Sequence, residues 1–345
     1  MSDDGVRART EGRIGLLTLD RPKALNALNR AMVNRIDKAL TAWEQDPAVE
    51  SVVLTGAGER GLCAGGDIRM IYEDVRTGGS GADAFWRDEY RLNARIARYS
   101  KPYVALMDGI VMGGGVGVSG HGSVRIVTER SRIAMPETAI GFVPDVGGTH
   151  LLGRAPGELG THLALTGAAV GAGDALLCGL ADHFVPAEQL PGLLAALARE
   201  PVADVLRAHA AGAPGAELAG QREWIDHCYA ARTAEEIIAR LLGTGVPAAK
   251  ETAETLLSRS PTALKVTLAA VRRARELGTL ERVLEQEYRV SRSALAWPDF
   301  MEGIRAQVID KDREPRWSPA ELAGVTDEQV DGCFTHLGAA ELDLS

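Results

Sequence analysis

The chain has 345 residues, of which 46% are hydrophobic and 25% are charged, a composition typical of a globular protein with a sizeable core. Its formal net charge of −9 at pH 7 argues against a general binding surface for nucleic acid or for an anionic membrane. The four cysteines (Cys63, Cys178, Cys228 and Cys333) are far apart and form no C-x-x-C pair, so the sequence indicates neither a metal site nor a disulfide framework. No apolar export segment or membrane span is evident, and we predict a cytoplasmic protein.

Two apolar runs near the N-terminus predict buried strands, and an amphipathic helix is expected between them. The first run, Ile14 to Leu19, ends at the turn signal Asp20-Arg21-Pro22, and the second spans Ser51 to Leu54. Asn29 is placed to cap a helix over residues 30–44. The apolar side chains of this helix recur at the i, i+3, i+7 spacing that lays one stripe against a core: Val33, Ile36, Leu40 and Trp43.

Two glycine-rich loops each follow a predicted strand and lead into a predicted helix. The first, TGAGERGLCAGGDIRMI, reaches a helix that opens at Asp67. The second follows the buried strand Tyr103 to Met107 and contains Gly113, Gly114 and Gly115 at the start of a buried helix. Free amide N–H groups in such loops suit a ligand oxyanion, and the two loops could donate to one oxygen. A tight packing contact made by the glycines is the alternative.

Glu89 falls on the core-facing stripe of a third predicted helix, in the segment ADAFWRDEYRLNARIARYS. The stripe is otherwise apolar, and a carboxylate in such a position is unusual. Two interpretations are open. Glu89 either pairs with a neighbouring arginine, such as Arg91 or Arg95, or lines a ligand cavity.

The rest of the chain divides at an Ala/Gly/Pro-rich connector, residues 208–220. Before it, residues 157–180 predict helix and Leu180 to Val185 predict a short strand, so that strands alternate with helices in an α/β core. From residue 221 onward the periodicity is helical, without a convincing strand. We therefore predict an α/β core over residues 1–207 and a helical C-terminal region over residues 208–345, packed on the core.

The segments DRPKALNALN, CAGGDI and MDGIVMGGGVGVS resemble motifs of the crotonase superfamily, also called the enoyl-CoA hydratase/isomerase family, over roughly residues 13–190. The resemblance implies a spiral core of repeated β-β-α turns with a helical C-terminal region. It also implies that the backbone N–H groups of Gly66 and Gly114 hold the oxygen of an acyl-CoA thioester. The residues that would line the CoA moiety are Lys23, Ala24, Leu25, Ala64, Asp67 and Ile68.

Side chains at three positions distinguish activities within this superfamily. Hydratases place one catalytic Glu three residues after the oxyanion glycine and a second in a P-E pair, whereas this chain has Gly117 at the first position and Glu137, in AMPETAIG, at the second. Asp145, in FVPDVGG, stands where hydratases tend to carry glycine. This combination and the run DFMEGIRAQVIDKDREPRWSP resemble the 3-hydroxyisobutyryl-CoA hydrolases, in which Glu89 corresponds to a substrate-pocket glutamate.

The resemblance implies a thioesterase for a short-chain 3-hydroxyacyl-CoA, foremost 3-hydroxyisobutyryl-CoA in valine breakdown. Glu137 would attack the thioester carbonyl to give a mixed anhydride or act as general base on water. Asp145 would hold the substrate hydroxyl and help to position or deprotonate water. Without the resemblance, Glu137 is a carboxylate at a helix start and Asp145 is a turn residue.

Two other functions stay open at this point. One is a hydratase or isomerase that uses Glu137 alone or with Glu89, and the other is a CoA-binding protein without catalytic activity. No cofactor is expected, since CoA is part of the substrate. The expected partner is the acyl-CoA, with neither nucleic acid nor membrane, and a homo-oligomer is left open.

Overall fold

The computed structural model describes residues 5–344, which form two compact units. Unit 1 comprises the described residues up to Asp67, then Asp88–Ile133 and Val170–Ala216. Unit 2 comprises Ile68–Arg87, Ala134–Ala169 and the described residues from Glu217 onward. This grouping differs from the predicted division at residue 207 in the segments 68–87, 134–169 and 208–216. A boundary placed by composition cuts the chain once, whereas the chain passes between the units several times.

Nine strands run through the described residues and form two sheets. They are β1 (Val6–Glu11), β2 (Ile14–Leu19), β3 (Ser51–Gly56), β4 (Gly61–Cys63), β5 (Tyr103–Met107), β6 (Ile110–Met112), β7 (Val124–Val127), β8 (Arg132–Ala134) and β9 (His183–Phe184). The larger sheet has the order β1-β2-β3-β5-β7-β9 and is parallel except for the antiparallel pair β1 and β2. The smaller sheet has the order β4-β6-β8.

Sixteen α-helices accompany the strands in the described part of the chain. They are α1 (Arg30–Glu44), α2 (Ile68–Arg76), α3 (Gly81–Ala97), α4 (Gly114–Ser119), α5 (Gly148–Gly153), α6 (Leu159–Thr166), α7 (Ala172–Leu177), α8 (Leu190–Leu197), α9 (Val202–His209), α10 (Arg222–Tyr229), α11 (Ala234–Gly243), α12 (Pro247–Leu257), α13 (Pro261–Leu277), α14 (Leu280–Ala294), α15 (Pro298–Ile304) and α16 (Asp327–Gly332). The predicted α/β architecture is confirmed. In the described residues after the 208–220 connector, regular structure is helical throughout.

The core of unit 1 is built on one face of the larger sheet. Leu16, Val53 and Val104 are register partners on three neighbouring parallel strands, and all three are buried. Side chains two residues apart on a strand point to the same face, so Ile14 joins Leu16 in this apolar row. Leucines and a valine of α8 and α9 pack against it: Leu193, Leu197 and Val205. A buried parallel sheet of this kind requires apolar strands, and the sequence supplies them.

Helix α1 begins where the sequence predicts, because Asn29 caps it. The Asn29 side chain accepts a hydrogen bond of 3.0 Å from the Met32 N–H, which satisfies one donor of the first turn. The predicted helix over 157–180 is instead two helices, α6 and α7. The break lies at Gly167, whose φ of 69° is the left-handed conformation that commonly ends a helix.

In unit 2, helix α15 packs closely against the short 3₁₀ turn Glu137–Ile140. Gly303 allows this approach, because a Cβ atom at its position would overlap the backbone of Ile140. Aromatic rings complete the contact. Phe142 stacks on Phe300 with ring centroids 4.8 Å apart and on Trp86 at 5.5 Å. The turn that begins at Glu137 is therefore held by backbone contact and stacked rings.

Replacing Gly303 with alanine is expected to lower the free energy of unfolding by about 1–3 kcal/mol, since the new methyl group must displace the Ile140 backbone. Gly332→Ala is the matched control, because a Cβ atom there meets no heavy atom within 4 Å. Urea denaturation of both variants measures the difference. Equal stabilities would contradict the close packing of α15 on the turn.

Candidate functional site

The two glycine loops lie next to each other in unit 1. A Cβ atom placed on Gly114 would be 3.2 Å from the backbone nitrogen of Gly66 and 2.6 Å from Oε1 of Glu89. Only a residue without a side chain fits between the Gly66 amide and the Glu89 carboxylate. The sequence motifs that contain these three residues thus meet at one place.

The N–H groups of Gly66 and Gly114 are left out of the local backbone pairing. Gly114 is the first residue of α4, so its N–H has no acceptor inside the helix. Between residues 5 and 344, no backbone-to-backbone hydrogen bond outside the helices and strands uses either N–H as its donor. Two neighbouring amides of this kind can bind an oxygen that carries negative charge.

Glu89 lies on α3 and is 1% exposed. Of the two arginines predicted as partners of Glu89, Arg95 forms ion pairs with Asp37 at 2.8 Å and Glu44 at 2.9 Å. Pairing of Glu89 with Arg91 stays a prediction. The Glu89 carboxylate lies beside the Gly114 backbone, and its role in lining a ligand cavity also stays a prediction.

Cys63 is close to these glycines but is unsuited to act as a nucleophile. Burial raises the pKa of its thiol to about 12, and the negative charge of Glu89 acts in the same direction. Its Sγ donates to the Asn26 carbonyl oxygen at 3.2 Å. A protonated thiol of this kind has a structural role.

Asn26 joins the DRPKALNALN segment to the first glycine loop, a role that the sequence analysis missed. Its side-chain amide donates to the carbonyl oxygens of Ala57 at 3.0 Å, Gly61 at 3.2 Å and Leu62 at 3.1 Å. Its side-chain oxygen, Oδ1, accepts from the Arg21 backbone N–H at 2.9 Å, and the residue is 1% exposed. Its φ of 56° is the left-handed conformation that asparagine tolerates better than most residues. The sequence signal that could have identified this position is an asparagine within a turn segment.

The residues predicted to line CoA do not all belong to one unit. Lys23, Ala24, Leu25, Ala64 and Asp67 belong to unit 1, whereas Ile68 starts α2 in unit 2. In unit 1, the Ala64 N–H donates to the Leu25 carbonyl oxygen at 3.0 Å, which places the two segments side by side. Lys23 and Ala24 are exposed. Asp67 forms an ion pair of 2.9 Å with Arg21, so its carboxylate is fixed by a cation of the DRPKALNALN segment.

Glu137 and Asp145, the predicted catalytic carboxylates, both lie in unit 2 and are 7% and 6% exposed. Glu137 starts the 3₁₀ turn described above, and its carbonyl oxygen accepts from the Phe142 N–H at 3.0 Å. Its predicted proximity to the glycine amides stays a prediction. The corresponding hydratase position, Gly117, lies inside α4 in unit 1 and carries no carboxylate.

Asp145 begins a tight turn with an unusual backbone. The Gly148 N–H donates to the Asp145 carbonyl oxygen at 2.6 Å, and the two central residues, Val146 and Gly147, have φ values of 53° and 78°. Positive φ at both central residues defines a type I′ turn, which glycine and asparagine favour. Val146 is β-branched, so its left-handed conformation is strained.

Glu287, on α14, binds the backbone of this turn. Its carboxyl group accepts from the Gly147 N–H at 2.6 Å, the Thr149 N–H at 2.9 Å and the Thr149 hydroxyl at 2.5 Å. Burial raises the pKa of Glu287 to about 8, and the negative charge of Asp145 acts in the same direction. Glu287 is not among the site residues predicted from the sequence. The sequence signal that could have identified Glu287 is the one that identified Glu89, namely a carboxylate on the core-facing stripe of a helix. On α14 the neighbouring buried residues are Val283, Leu284 and Tyr288.

Between residues 5 and 344, no group of three or more His, Cys, Asp or Glu side chains is arranged to hold a metal ion. None of the helices there combines the length and the apolar character that a membrane crossing requires.

Comparison with known proteins identifies the family. The family model described as enoyl-CoA hydratase/isomerase matches residues 14–334. The chain belongs to this family. The crystal structure of a carnitinyl-CoA dehydratase from Mycobacterium thermoresistibile is 52% identical, with a TM-score of 0.95, and covers 99% of this chain and 98% of its own. That of an enoyl-CoA hydratase from Rhodobacter sphaeroides is 46% identical, with a TM-score of 0.94, and covers 99% and 100%. The expected family and crotonase-like fold are confirmed.

A curated relative of this chain has a different activity in its name. The mitochondrial 3-hydroxyisobutyryl-CoA hydrolase of Xenopus laevis is 42% identical over 355 residues, which cover 100% of this chain and 92% of the relative. The predicted cytoplasmic location is wrong by this comparison, because that relative is mitochondrial. The prediction relied on the lack of an apolar export segment. This criterion cannot identify a mitochondrial protein, whose targeting segments are amphipathic and rich in arginine.

Replacing Gly114 with proline is expected to reduce turnover of an acyl-CoA substrate by about 10²–10³-fold, because proline lacks the N–H donor. The first position of a helix tolerates the missing N–H and the fixed φ of proline, and the crowding of Glu89 by the added Cβ atom is shared with the control variant. Gly114→Ala is the matched control, since it adds a Cβ atom beside Glu89 and keeps the N–H. Steady-state kinetics of both variants isolate the donor. A proline variant as active as the alanine variant would exclude a role for this N–H.

Proposed function

We propose that the protein hydrolyses a short-chain 3-hydroxyacyl-CoA, foremost 3-hydroxyisobutyryl-CoA, to the free hydroxy acid and CoA. The observation that carries this proposal is the likeness to a 3-hydroxyisobutyryl-CoA hydrolase over 100% of the chain. The side chains agree with it. Glu137 is present, Gly117 replaces the second glutamate of a hydratase, and Asp145 is added.

In this proposal, the N–H groups of Gly66 and Gly114 bind the thioester oxygen and stabilise the negative charge that develops on it. Glu137 either attacks the carbonyl carbon, forming a mixed anhydride that water then hydrolyses, or removes a proton from an attacking water. In both cases the carbon–sulfur bond breaks and the sulfur leaves as the CoA thiolate, which takes up a proton. The two routes give the same products.

Asp145 and Glu89 are proposed to select the acyl group. Asp145, which is buried, is proposed to accept a hydrogen bond from the 3-hydroxyl group, a contact that a substrate without that hydroxyl does not make. Glu89 is proposed to line the acyl pocket beside the Gly114 backbone. The CoA moiety is proposed to lie against Lys23, Ala24, Leu25, Ala64, Asp67 and Ile68. No cofactor is proposed, and a homo-oligomer and a place in valine breakdown stay predictions.

A hydratase is the second candidate, because the two proteins of known structure with 46% and 52% identity are named an enoyl-CoA hydratase and a carnitinyl-CoA dehydratase. Water addition across a double bond in this family uses two glutamates by resemblance. This chain has Gly117 at one of the two positions. A hydratase would therefore have to work with Glu137 alone or with Glu89.

A panel of acyl-CoA esters tests the proposed function. Wild-type protein is incubated separately with 3-hydroxyisobutyryl-CoA, isobutyryl-CoA and acetyl-CoA, and free CoA is measured with a thiol reagent. We expect the fastest release from 3-hydroxyisobutyryl-CoA. Binding of the esters without thiol release from any of them would overturn the proposal and favour a CoA-binding protein.

Glu137→Gln keeps the shape of the side chain and removes its basic and nucleophilic character. We expect kcat for thiol release to fall by about 10²–10⁴-fold. The dissociation constant for CoA, measured by calorimetry, should change little because other residues bind that moiety. If binding and turnover fall equally, Glu137 has a structural role.

Asp145→Gly should damage hydrolysis of 3-hydroxyisobutyryl-CoA far more than hydrolysis of isobutyryl-CoA, because only the first substrate has the hydroxyl group. The expected change in the ratio of the two kcat/KM values is on the order of tenfold or more. Each substrate is the control for the other within one variant. If the ratio of the two kcat/KM values is the same as in the wild type, Asp145 does not recognise the hydroxyl group.

A further inference from the structure

We propose that Glu287 is a positioning residue for Asp145, and that it sets the preference for 3-hydroxyacyl esters by holding the Asp145–Gly148 turn. This inference rests on the proposed function for its substrate, and on geometry within unit 2 for its structural part. The residue comes from α14, in the helical C-terminal part of the chain.

The hydrogen bonds of Glu287 lie directly next to Asp145 in the chain. Oε2 accepts from the Gly147 N–H, and Oε1 accepts from the N–H and the hydroxyl of Thr149. Helix α5 has no capping side chain of its own at Gly147, so Glu287 takes the place of the N-terminal cap. The carboxyl group thereby fixes the peptide planes on the far side of the turn that Asp145 begins.

The turn needs such a partner because its backbone is strained. Val146 is 1% exposed and has a φ of 53°, a conformation that a β-branched residue keeps only when its surroundings enforce it. Loss of the contacts at Gly147 and Thr149 would let Val146 relax toward a negative φ. That rotation would turn the preceding residue, Asp145, away from its present orientation.

A carboxyl group suits this position, and an amide of the same shape does not. Each oxygen of Glu287, with or without a proton on the group, keeps a lone pair for the N–H that points at it. In Glu287→Gln, one oxygen is replaced by an NH₂ group, which has no acceptor capacity and would face the N–H of Gly147 or of Thr149. The buried backbone N–H of Gly147 or of Thr149 would then lack an acceptor.

The first experiment compares the ratio of kcat/KM for 3-hydroxyisobutyryl-CoA to that for isobutyryl-CoA. We expect Glu287→Gln to lower this ratio by about tenfold or more, while the rate with isobutyryl-CoA falls less. Gln286→Met is the matched control. Gln286 is the adjacent buried residue of α14 and donates to the Ala270 carbonyl oxygen, so its loss affects helix packing and leaves the turn contacts in place.

Thr149 provides a second pair of variants that does not alter α14. Thr149→Val removes the hydroxyl donor to Glu287 and keeps the N–H, whereas Thr149→Ser keeps both. We expect the valine variant to lower the substrate ratio and the serine variant to leave it near the wild-type value. This pair keeps the proposal testable if Glu287→Gln does not fold.

Hydrogen exchange separates failure of this inference from failure of the proposed function. Faster amide exchange of Gly147 and Thr149 in the glutamine variant, relative to wild type and Gln286→Met, is expected whatever the substrate is. If the wild-type protein releases no thiol, the hydrolase function is refuted. The exchange rates of Gly147 and Thr149 then still show whether Glu287 holds the turn. Unchanged exchange, or an unchanged substrate ratio in folded Glu287→Gln and Thr149→Val, would overturn the proposal.

Discussion

The close approach of two backbone segments, at Gly66 and Gly114, is the constraint on which unit 1 depends. The nitrogen of Gly66 would be 3.2 Å from any Cβ atom on Gly114, and the Glu89 carboxylate takes up the remaining space. The parallel strands β3 and β5 direct the two loops to the same edge of the sheet. Asn26 then fixes the first loop with three hydrogen bonds from its side-chain amide. Paired amides beside a buried carboxylate are the result, and they suit a thioester oxygen.

In unit 2, the two predicted catalytic carboxylates also lie on segments that are contacted by parts of the chain far away in the sequence. Glu137 and Asp145 each begin a short turn, and each turn is held by a helix far away in the sequence. Helix α15 contacts the first turn through Gly303 and Phe300, and α14 binds the second through Glu287. The C-terminal helices therefore do more than cover apolar surface. They contact the segments that carry the predicted carboxylates, and Phe300 and Gly303 belong to the C-terminal run that resembles the 3-hydroxyisobutyryl-CoA hydrolases.

The sequence predicted local features well. Asn29 and the apolar stripe after it located α1, and the run Tyr103 to Met107 was a strand as expected. Contacts between segments distant in the chain were missed, because periodicity carries no information about partners. Asn26 and Glu287 are the examples, since each acts on backbone groups elsewhere in the sequence. The cytoplasmic location failed for a different reason, namely that it was inferred from an absent signal. The joint placement of Glu137 with the glycine amides stays a prediction.

The most direct test compares two reactions of the wild-type protein in parallel. The protein is incubated separately with 3-hydroxyisobutyryl-CoA and with crotonyl-CoA at equal concentrations. Free thiol is measured in the first incubation and the loss of the enoyl thioester absorbance in the second. We expect thiol to be released from 3-hydroxyisobutyryl-CoA faster than water is added to crotonyl-CoA, because this chain has Gly117 where a hydratase carries its second glutamate. Efficient hydration of crotonyl-CoA without thiol release would contradict the proposed function.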